Sequence, residues 1–274
     1  MEKYQFFKKI IFCMMLSIFI AASQITRPVF AEEAGSKIMQ IKEAGKIVVG
    51  TSADYPPYEF HLLNDPDGEL VGIDIDIAKV IAAELGVQLE IKDIIFSRLF
   101  DELEAGHIDI IIAGLHPKPE RKKRADFSDI YYQAIQAIVI TSANAKKIKT
   151  IEDLRGKTVG VQKDTIQEDM ARSYIEGATF LVRETIEELI INLQKGLVDA
   201  LILEKPVAES YVQSGKNFII ITSKEFLDEM GSAIAVRKTD TDLLAEINRI
   251  LRKLKEENKI AEFVENAKMH TNKR

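Results

Sequence analysis

The sequence predicts an α/β protein built from two doubly wound lobes. Short apolar segments alternate with helical segments, which is typical of a parallel sheet covered by helices. This alternating block occurs twice, over about residues 46–112 and again over about 150–222. An extended apolar segment at 134–140 separates the blocks, and another extended segment at 231–236 follows the second block. Two sheets joined by two extended crossovers would enclose a cleft, with Gly231 and Ser232 placed where a hinge could rotate.

The first block has four predicted strands and two predicted helices. Residues 76–85 carry apolar side chains at helical spacing before Gly86, and residues 97–105 form a second helix that ends at Gly106. Residues 64–69 (NDPDGE) have the composition of a tight turn. The predicted strands are 46–51, 71–75, 87–91 and 108–112.

The second block repeats the pattern and ends in a long helix. Capping boxes that begin at Thr165 and Thr185 predict helices running to about residues 174 and 196. A short helix is expected over 150–156, and Pro206 fits the first turn of a helix that ends near residue 213. The predicted strands are 158–161, 179–182, 198–203, 218–222 and 231–236. The C-terminal helix carries an apolar stripe that indicates core packing, formed by Leu243, Ile247, Ile250, Leu251 and Leu254.

The composition is that of a globular protein and argues against nucleic-acid binding. The chain has 274 residues, of which 46% are hydrophobic and 29% charged, and its formal net charge is −6. This length is enough for a substantial core. An acidic balance lacks the basic footprint of nucleic-acid-binding proteins. The basic run at 118–124 (KPERKKR) is interpreted as a solvated loop.

The first 31 residues are predicted to be a cleaved secretory signal peptide. Two lysines precede an apolar run at 10–22, and Val29-Phe30-Ala31 is a small-x-small cleavage pattern. The apolar run is short for a transmembrane helix, although an uncleaved anchor is the alternative. Cys13, the only cysteine, does not follow a small residue, which argues against lipid attachment. Cleavage after Ala31 would change the net charge from −6 to −9 and would leave neither a disulfide nor a thiol nucleophile.

Arg121 is the first candidate ligand-binding residue. It follows the predicted strand at 108–112 and the small-residue turn Ala113-Gly114. Ligands of open α/β sheets bind at the carboxyl ends of strands, which is where this loop lies. The planar guanidinium suits a carboxylate, whereas a surface arginine in a basic loop is the competing interpretation.

Four further residues are candidates, each with a structural alternative. Thr165 begins a helix whose first amides favour an anion, or it is only an N-cap. Glu204 ends a predicted strand and could hold an ammonium group, or it pairs with Lys205. Tyr55 and Phe96 follow strands of the first block. They could sandwich a ligand side chain, with a cation–π gain for a basic one, or they are core residues.

Neither metal binding nor catalysis is indicated by a motif. His107 and His116 have no metal-ligand partners at useful spacing, so no metal site is predicted. Nucleophile elbows, phosphate-binding glycine loops and Ser-His-Asp arrangements are not recognisable. The sequence therefore favours a protein that is not an enzyme and has no cofactor.

Five stretches carry a resemblance to a known family: GTSADYPPYEF, VGIDIDIAKVIAAELG, IIAGLHPKPERKKRADFSDIYY, DLRGKTVGVQKDTIQED and VDALILEKPVA. In this order they resemble the bacterial extracellular solute-binding proteins of family 3, which deliver polar amino acids to ABC importers. The resemblance covers nearly all of the chain after the signal peptide. It implies a periplasmic binding protein-like fold of type II, with two α/β lobes joined by two hinge strands and closing on the ligand.

The resemblance implies that five positions bind the charged groups of a free amino acid. Arg121 matches the arginine that binds the α-carboxylate, and the helix start at Thr165 and Ile166 assists it. Gly114 matches a residue whose carbonyl accepts from the α-ammonium group. Glu204 falls where the family usually has an aspartate.

Other positions are implied to contact the ligand's side chain. Tyr55 and Phe96 match a pair of rings around it. Ser52 lies where some relatives carry an aspartate that reads a basic or amide side chain. The complete set of predicted ligand-binding residues is Ser52, Tyr55, Phe96, Gly114, His116, Arg121, Gln162, Thr165, Ile166 and Glu204.

Three departures from the family pattern bear on which ligand is bound. His116 stands where Ser or Thr is common, so an imidazole replaces a hydroxyl. Asp164 replaces a frequent glycine, and an acid there would weaken carboxylate binding unless it points away. Glu204 is one methylene longer than aspartate.

The resulting prediction is a non-catalytic receptor for a polar L-amino acid, with a basic or amide side chain such as arginine or glutamine favoured. The expected lobes are 46–135 plus 231–270 and 136–230. The expected partners are the amino acid and an ABC transporter permease at the membrane, for an exported monomer. Two alternatives stay open: a dehydratase of cyclohexadienyl acids with a cleft carboxylate such as Glu204 as proton donor, and a sensory input domain.

Overall fold

The computed structural model describes residues 35–62, 68–213, 217–227 and 230–271. The predicted signal peptide at 1–31 and residues 64–67 of the predicted turn lie outside the described residues. No helix in the described ranges is long and apolar enough to cross a membrane.

The first sheet has three parallel strands and two strands beside them. Strand β1 (Lys46–Thr51) pairs in parallel with β5 (Gln88–Asp93) and with β6 (Ile110–Ile111). Strand β15 (Ala235–Arg237) runs antiparallel to β6 and to β7 (Ala125–Phe127). The strand order is β5-β1-β6-β15-β7.

The second sheet repeats this plan. Strand β10 (Thr158–Gln162) pairs in parallel with β11 (Thr179–Arg183) and with β12 (Ala200–Glu204). Strand β9 (Gln136–Thr141) runs antiparallel to β12 and to β13 (Phe218–Ile221). The order β11-β10-β12-β9-β13 again sets three parallel strands beside an antiparallel one. The predicted α/β class is confirmed.

Two small sheets complete the strands. Strand β8 (Tyr132–Ala134) pairs antiparallel with β14 (Met230–Ser232), and these two segments are the chain's passages between the large sheets. Strands β2 (Asp54–Tyr55), β3 (Glu59–His61) and β4 (Leu70–Val71) form a three-stranded antiparallel sheet after β1.

Helices pack on both large sheets. Thr165 and Thr185 cap two of them, because each side chain accepts a hydrogen bond from the backbone N–H three residues later, as predicted. The predicted C-terminal stripe is buried in a core cluster that also contains β1 and its neighbouring helix. The helices are α1 (Lys37–Ala44), α2 (Ile73–Leu85), α3 (Leu99–Glu104), α4 (Pro119–Arg124), α5 (Ile166–Tyr174), α6 (Ile186–Gln194), α7 (Lys205–Gln213), α8 (Thr241–Glu256) and α9 (Lys259–Thr271).

The predicted strand at 71–75 is wrong. Strand β4 ends at Val71, and α2 already begins at Ile73. Gly72 separates them with φ +132°, and a Cβ there would lie 2.1 Å from the Tyr58 carbonyl oxygen. The chain therefore turns sharply at a position where only glycine fits, and the alternating run that follows becomes the first turn of a helix.

Several other boundaries differ from prediction. The strand expected at 231–236 is divided into β14 and β15. The loop after β6 contains the short helix α4, which begins at Pro119, a residue suited to a helix's first turn. The helix expected at 150–156 is one 3₁₀ turn, Glu152–Leu154. Helix α9 was not predicted from the sequence, because its apolar residues continue those of α8 without a clear break.

Candidate functional site

One cavity is lined by nine of the ten predicted ligand-binding residues, and Glu204 is the one that does not line it. It lies where loops leave the carboxyl ends of β1, β6 and β10, so both large sheets contribute to it. The space enclosed by these residues, including the part open to solvent, is about 330 Å³. The other residues that line it are Asp54, Glu59, Ala113 and Gln167.

Arg121 forms one end of this cavity and is almost fully buried. Its Nη1 donates to the His116 carbonyl and its Nη2 to the Asp164 carbonyl, both at 2.8 Å. The guanidinium carbon lies 5.1 Å from the centroid of the Phe96 ring. Burial lowers the Arg121 pKa to about 10, so the side chain stays charged at neutral pH. The result is a cation fixed between a loop of the first sheet and a loop of the second.

Helix α5 begins beside this cation. The Thr165 hydroxyl donates to the Gln162 carbonyl at 2.7 Å and accepts from the Glu168 amide at 3.2 Å, which fixes the first turn. The first amides of a helix have no partners within it, and the helix dipole favours an anion there. Arg121 and the start of α5 together create a site for a carboxylate.

Asp164 does not compete with that anion. Its side chain is exposed, and its φ of +61° lies in the left-handed region that favours glycine. The backbone is what this position contributes, because its carbonyl accepts from Arg121 and its amide donates to Glu168. This geometry explains why the family that the sequence resembles often has glycine at this position.

Glu204 does not line the cavity but contacts His116, which does. The Glu204 carboxylate is fully buried and accepts a hydrogen bond from the Tyr58 hydroxyl. Its Oε1 lies 3.0 Å from His116 Nε2, although the two atoms are not aligned as a hydrogen bond. His116 lines the cavity itself, whereas Glu204 does not.

Asp54 supplies a carboxylate in another part of the cavity. Its Oδ2 accepts from the Ile186 amide at 2.6 Å, which ties β2 to the start of α6. Its Oδ1 is buried and has no hydrogen-bond partner in the described part of the chain. Burial raises the Asp54 pKa to about 7. A cation placed beside this carboxyl group would favour its ionised form and so lower that pKa.

Glu59 is a second carboxyl group on the cavity wall. It is 1% exposed, and neither of its oxygens meets an N–H or hydroxyl donor among the described residues. Burial, followed by the charge of Asp74, raises its pKa well above the usual range. Asp74 is fully buried and accepts from the Gly114 amide at 2.8 Å and from the Tyr131 hydroxyl at 2.9 Å.

The aromatic residues are arranged differently from a simple ligand sandwich. Tyr55 stacks on Tyr58, with ring centroids 5.5 Å apart, and Phe96 faces Arg121. Gln167 donates to the Tyr55 hydroxyl at 3.3 Å and to Gln136 Oε1 at 2.8 Å. Both predicted rings line the cavity, but in this structure their ring contacts are with protein groups.

The sequence analysis missed the two cavity carboxylates and Gln167. Asp54 and Glu59 flank the Tyr55–Tyr58 turn, where a local signal, acids beside a candidate aromatic loop, was present. Gln167 lies two residues after Thr165, within the helix turn already assigned to the ligand. No group of three or more His, Cys, Asp or Glu side chains in the described residues is arranged to hold a metal ion.

Comparison with known proteins agrees with this fold of two α/β sheets and with the position of the cavity. The family model of bacterial extracellular solute-binding proteins, family 3, matches residues 47–267. The chain therefore belongs to this family, and the predicted type II binding-protein fold is confirmed by its solved relatives.

Similar proteins have been described from several bacteria. The arginine-binding extracellular protein ArtP of Bacillus subtilis strain 168 is 37% identical over 217 residues, which cover 77% of this chain and 81% of that protein. The glutamine-binding protein GlnH of the same strain is 33% identical over 236 residues, covering 85% and 84%. The substrate-binding protein AbpA of Streptococcus pneumoniae, solved bound to L-arginine, has a TM-score of 0.81 at 32% identity, covering 86% of this chain and 100% of that one.

Proposed function

We propose that the protein is the extracytoplasmic substrate-binding component of an ABC importer and that its ligand is a basic L-amino acid, arginine. One observation carries the proposal. The cavity has a buried cation, Arg121, on one part of its wall, and two buried carboxyl groups with unpartnered oxygens, Asp54 and Glu59, on another.

The charges of arginine match this arrangement. Its α-carboxylate pairs with Arg121 and the first amides of α5, and its guanidinium lies against Glu59 and Asp54. Buried charges are tolerated only when they are paired, so a ligand that supplies a cation satisfies groups that an amide would leave unpaired. Glutamine is the alternative ligand, because a relative with similar identity is named for it. The unpartnered carboxyl groups favour arginine over glutamine.

Binding is coupled to closure of two lobes, with the boundaries expected from the sequence. Several contacts join residues on the two sides of the cavity: Arg121 to the Asp164 carbonyl, Asp54 to the Ile186 amide, and Ser97 to Glu184 at 2.7 Å. A ligand held by groups from both sides stabilises the closed form over the open one. The β8–β14 pair is the passage about which the lobes would rotate.

Export and delivery to a permease follow from the family. Its members are extracellular, which supports export. The proposed signal peptide is cleaved after Ala31. The closed form is the state that a membrane permease would recognise, and we propose that the receptor acts as a monomer. Mass spectrometry of the exported protein tests the cleavage, since the mature chain should begin at Glu32.

A thermal-shift screen of the twenty amino acids tests the ligand. For protein that begins at Glu32, a ligand at a hundred times its dissociation constant adds about 2.7 kcal/mol to the unfolding free energy. L-Arginine should give the largest shift, and lysine a smaller one because its ammonium cannot make the paired contacts of a guanidinium. A largest shift with glutamine, or no shift with any amino acid, would contradict the proposal.

The dehydratase alternative is less well supported. A proton donor must reach the substrate, whereas Glu204 is bound to Tyr58 and lies behind His116. The relatives compared are named as binding proteins. Incubation with prephenate and with arogenate distinguishes the two roles, because only an enzyme releases the aromatic product.

A further inference from the structure

We propose that His116 is a specificity-determining residue that separates the ligand's α-amino group from Glu204, so that the protein binds guanidino acids whether or not they carry an α-ammonium group. The inference rests on the proposed function, because it concerns the same ligand in the same cavity. It widens the class of ligand from arginine to ω-guanidino carboxylates in general.

The site of the carboxylate fixes where the α-amino group lies. The two groups of an α-amino acid are bonded to the same carbon, so the amino group lies beside the carboxylate. The carboxylate is assigned to Arg121, whose Nη1 donates to the His116 carbonyl at 2.8 Å. His116 and Gly114 both line the cavity. The α-amino group therefore falls on the part of the wall that His116 forms.

Glu204 is the carboxylate that contacts His116, and both of its oxygens are covered. The Tyr58 hydroxyl donates to Oε2, and His116 Nε2 lies 3.0 Å from Oε1. Glu204 is 0% exposed and does not line the cavity, whereas His116 does. A ligand therefore cannot contact this carboxylate unless His116 or Tyr58 moves.

The imidazole does not replace the carboxylate as a partner for an ammonium group. A neutral imidazole offers one acceptor nitrogen and an imidazolium offers none, so neither form supplies a negative charge. The Gly114 carbonyl, which the resemblance assigns to the α-ammonium group, is also neutral. Among the described residues, the other carboxyl groups on the cavity wall are Asp54 and Glu59, which the proposed function assigns to the guanidinium. Burial of the α-ammonium group is thus offset only by neutral hydrogen bonds.

The ligand class follows from the charges that the cavity does pair. Arg121 and the first amides of α5 take a carboxylate, and Asp54 and Glu59 take a guanidinium. The compound 5-guanidinopentanoate is arginine without its α-amino group, and it carries both charges at the same spacing. Removing one partner of a buried ion pair raises Kd by roughly 150- to 5,000-fold. Loss of a hydrogen bond between neutral partners and the ammonium group, which must also be desolvated, raises it by about tenfold or less.

Titration calorimetry of the protein beginning at Glu32 tests the inference with L-arginine and 5-guanidinopentanoate. The Kd of 5-guanidinopentanoate should be no more than about tenfold above that of arginine. A larger difference, with arginine still bound, overturns the inference and leaves the proposed function intact. Absence of arginine binding overturns both.

Two variants assign the effect to His116. His116→Ser removes the imidazole and opens a path to Glu204, so the preference for arginine over 5-guanidinopentanoate should rise by at least about tenfold. His116→Ser combined with Glu204→Gln should return this preference to the wild-type value, because the amide carries no charge. An unchanged preference in His116→Ser, or a rise that persists in the double variant, overturns the role of His116.

His107→Ser is the matched control. His107 also contacts a glutamate, with its Nδ1 2.8 Å from Glu102 Oε2, but this histidine is exposed and does not line the cavity. The preference for arginine over 5-guanidinopentanoate should therefore stay at the wild-type value. A change as large as that in His116→Ser would overturn the inference, because the effect would not depend on the cavity.

Discussion

Replacing Arg121 with alanine should weaken arginine binding far more than it weakens folding. The side chain is the buried cation nearest the start of α5, so its loss leaves the ligand's carboxylate buried without a counter-charge. Breaking a buried ion pair costs about 3–5 kcal/mol, which is roughly a 150- to 5,000-fold increase in Kd. Part of that loss reflects the carbonyls of His116 and Asp164, which Arg121 holds in place. Titration calorimetry measures the change.

Arg124→Ala is the matched control for this variant. Arg124 lies on the same short helix and also stacks on Phe100, but its side chain is 40% exposed and pairs with Asp101 and Glu104. Exposed ion pairs contribute about 0–1 kcal/mol, so this variant should bind arginine like the wild type. Arg121→Lys keeps the charge and should bind more tightly than the alanine variant. A Kd of Arg121→Ala within about threefold of the wild type would refute the assignment.

Three further predictions concern the same region. Asp164→Gly should raise the free energy of unfolding in urea by roughly 1 kcal/mol, because φ is +61°, and should keep arginine binding, since only the backbone of residue 164 is used. Gly114→Ala should weaken binding, measured by calorimetry, because a Cβ would lie 3.1 Å from the Tyr55 ring and φ is +53°. Burial raises the Asp54 pKa to about 7, so its protonated form stabilises the fold. That contribution is complete below about pH 4 and is lost as the pH rises through 7, and Asp54→Asn should flatten the fall in Tm over that range.

Much of the fold could be predicted from patterns among residues that are close in the sequence. The side chains of Thr165 and Thr185 cap their helices as the capping boxes indicated, because a cap depends on residues only three positions apart. Strand β1 has the predicted bounds, 46–51, because a short run rich in β-branched residues favours a strand. The strand predicted at 71–75 failed because Gly72 packs against Tyr58, a tertiary contact that no local pattern encodes.

The candidate site could be predicted only in part, because some of its contacts join residues that are far apart in the sequence. Motif positions such as Arg121 and Gln162 could be identified in order along the chain, and the fold brings them to one cavity. The position of His116 against Glu204, and the burial of Asp54 and Glu59 in the cavity wall, depend on how distant elements meet. An acid in a sequence does not reveal whether it will be buried, or whether it will find a donor there.

A crystal structure of the protein with L-arginine tests the central claim most directly. The ligand's carboxylate should lie within hydrogen-bond distance of the Arg121 guanidinium and the amides at the start of α5, and its guanidinium should lie against Glu59 and Asp54. An arginine bound in the opposite direction, or bound outside this cavity, would contradict the account.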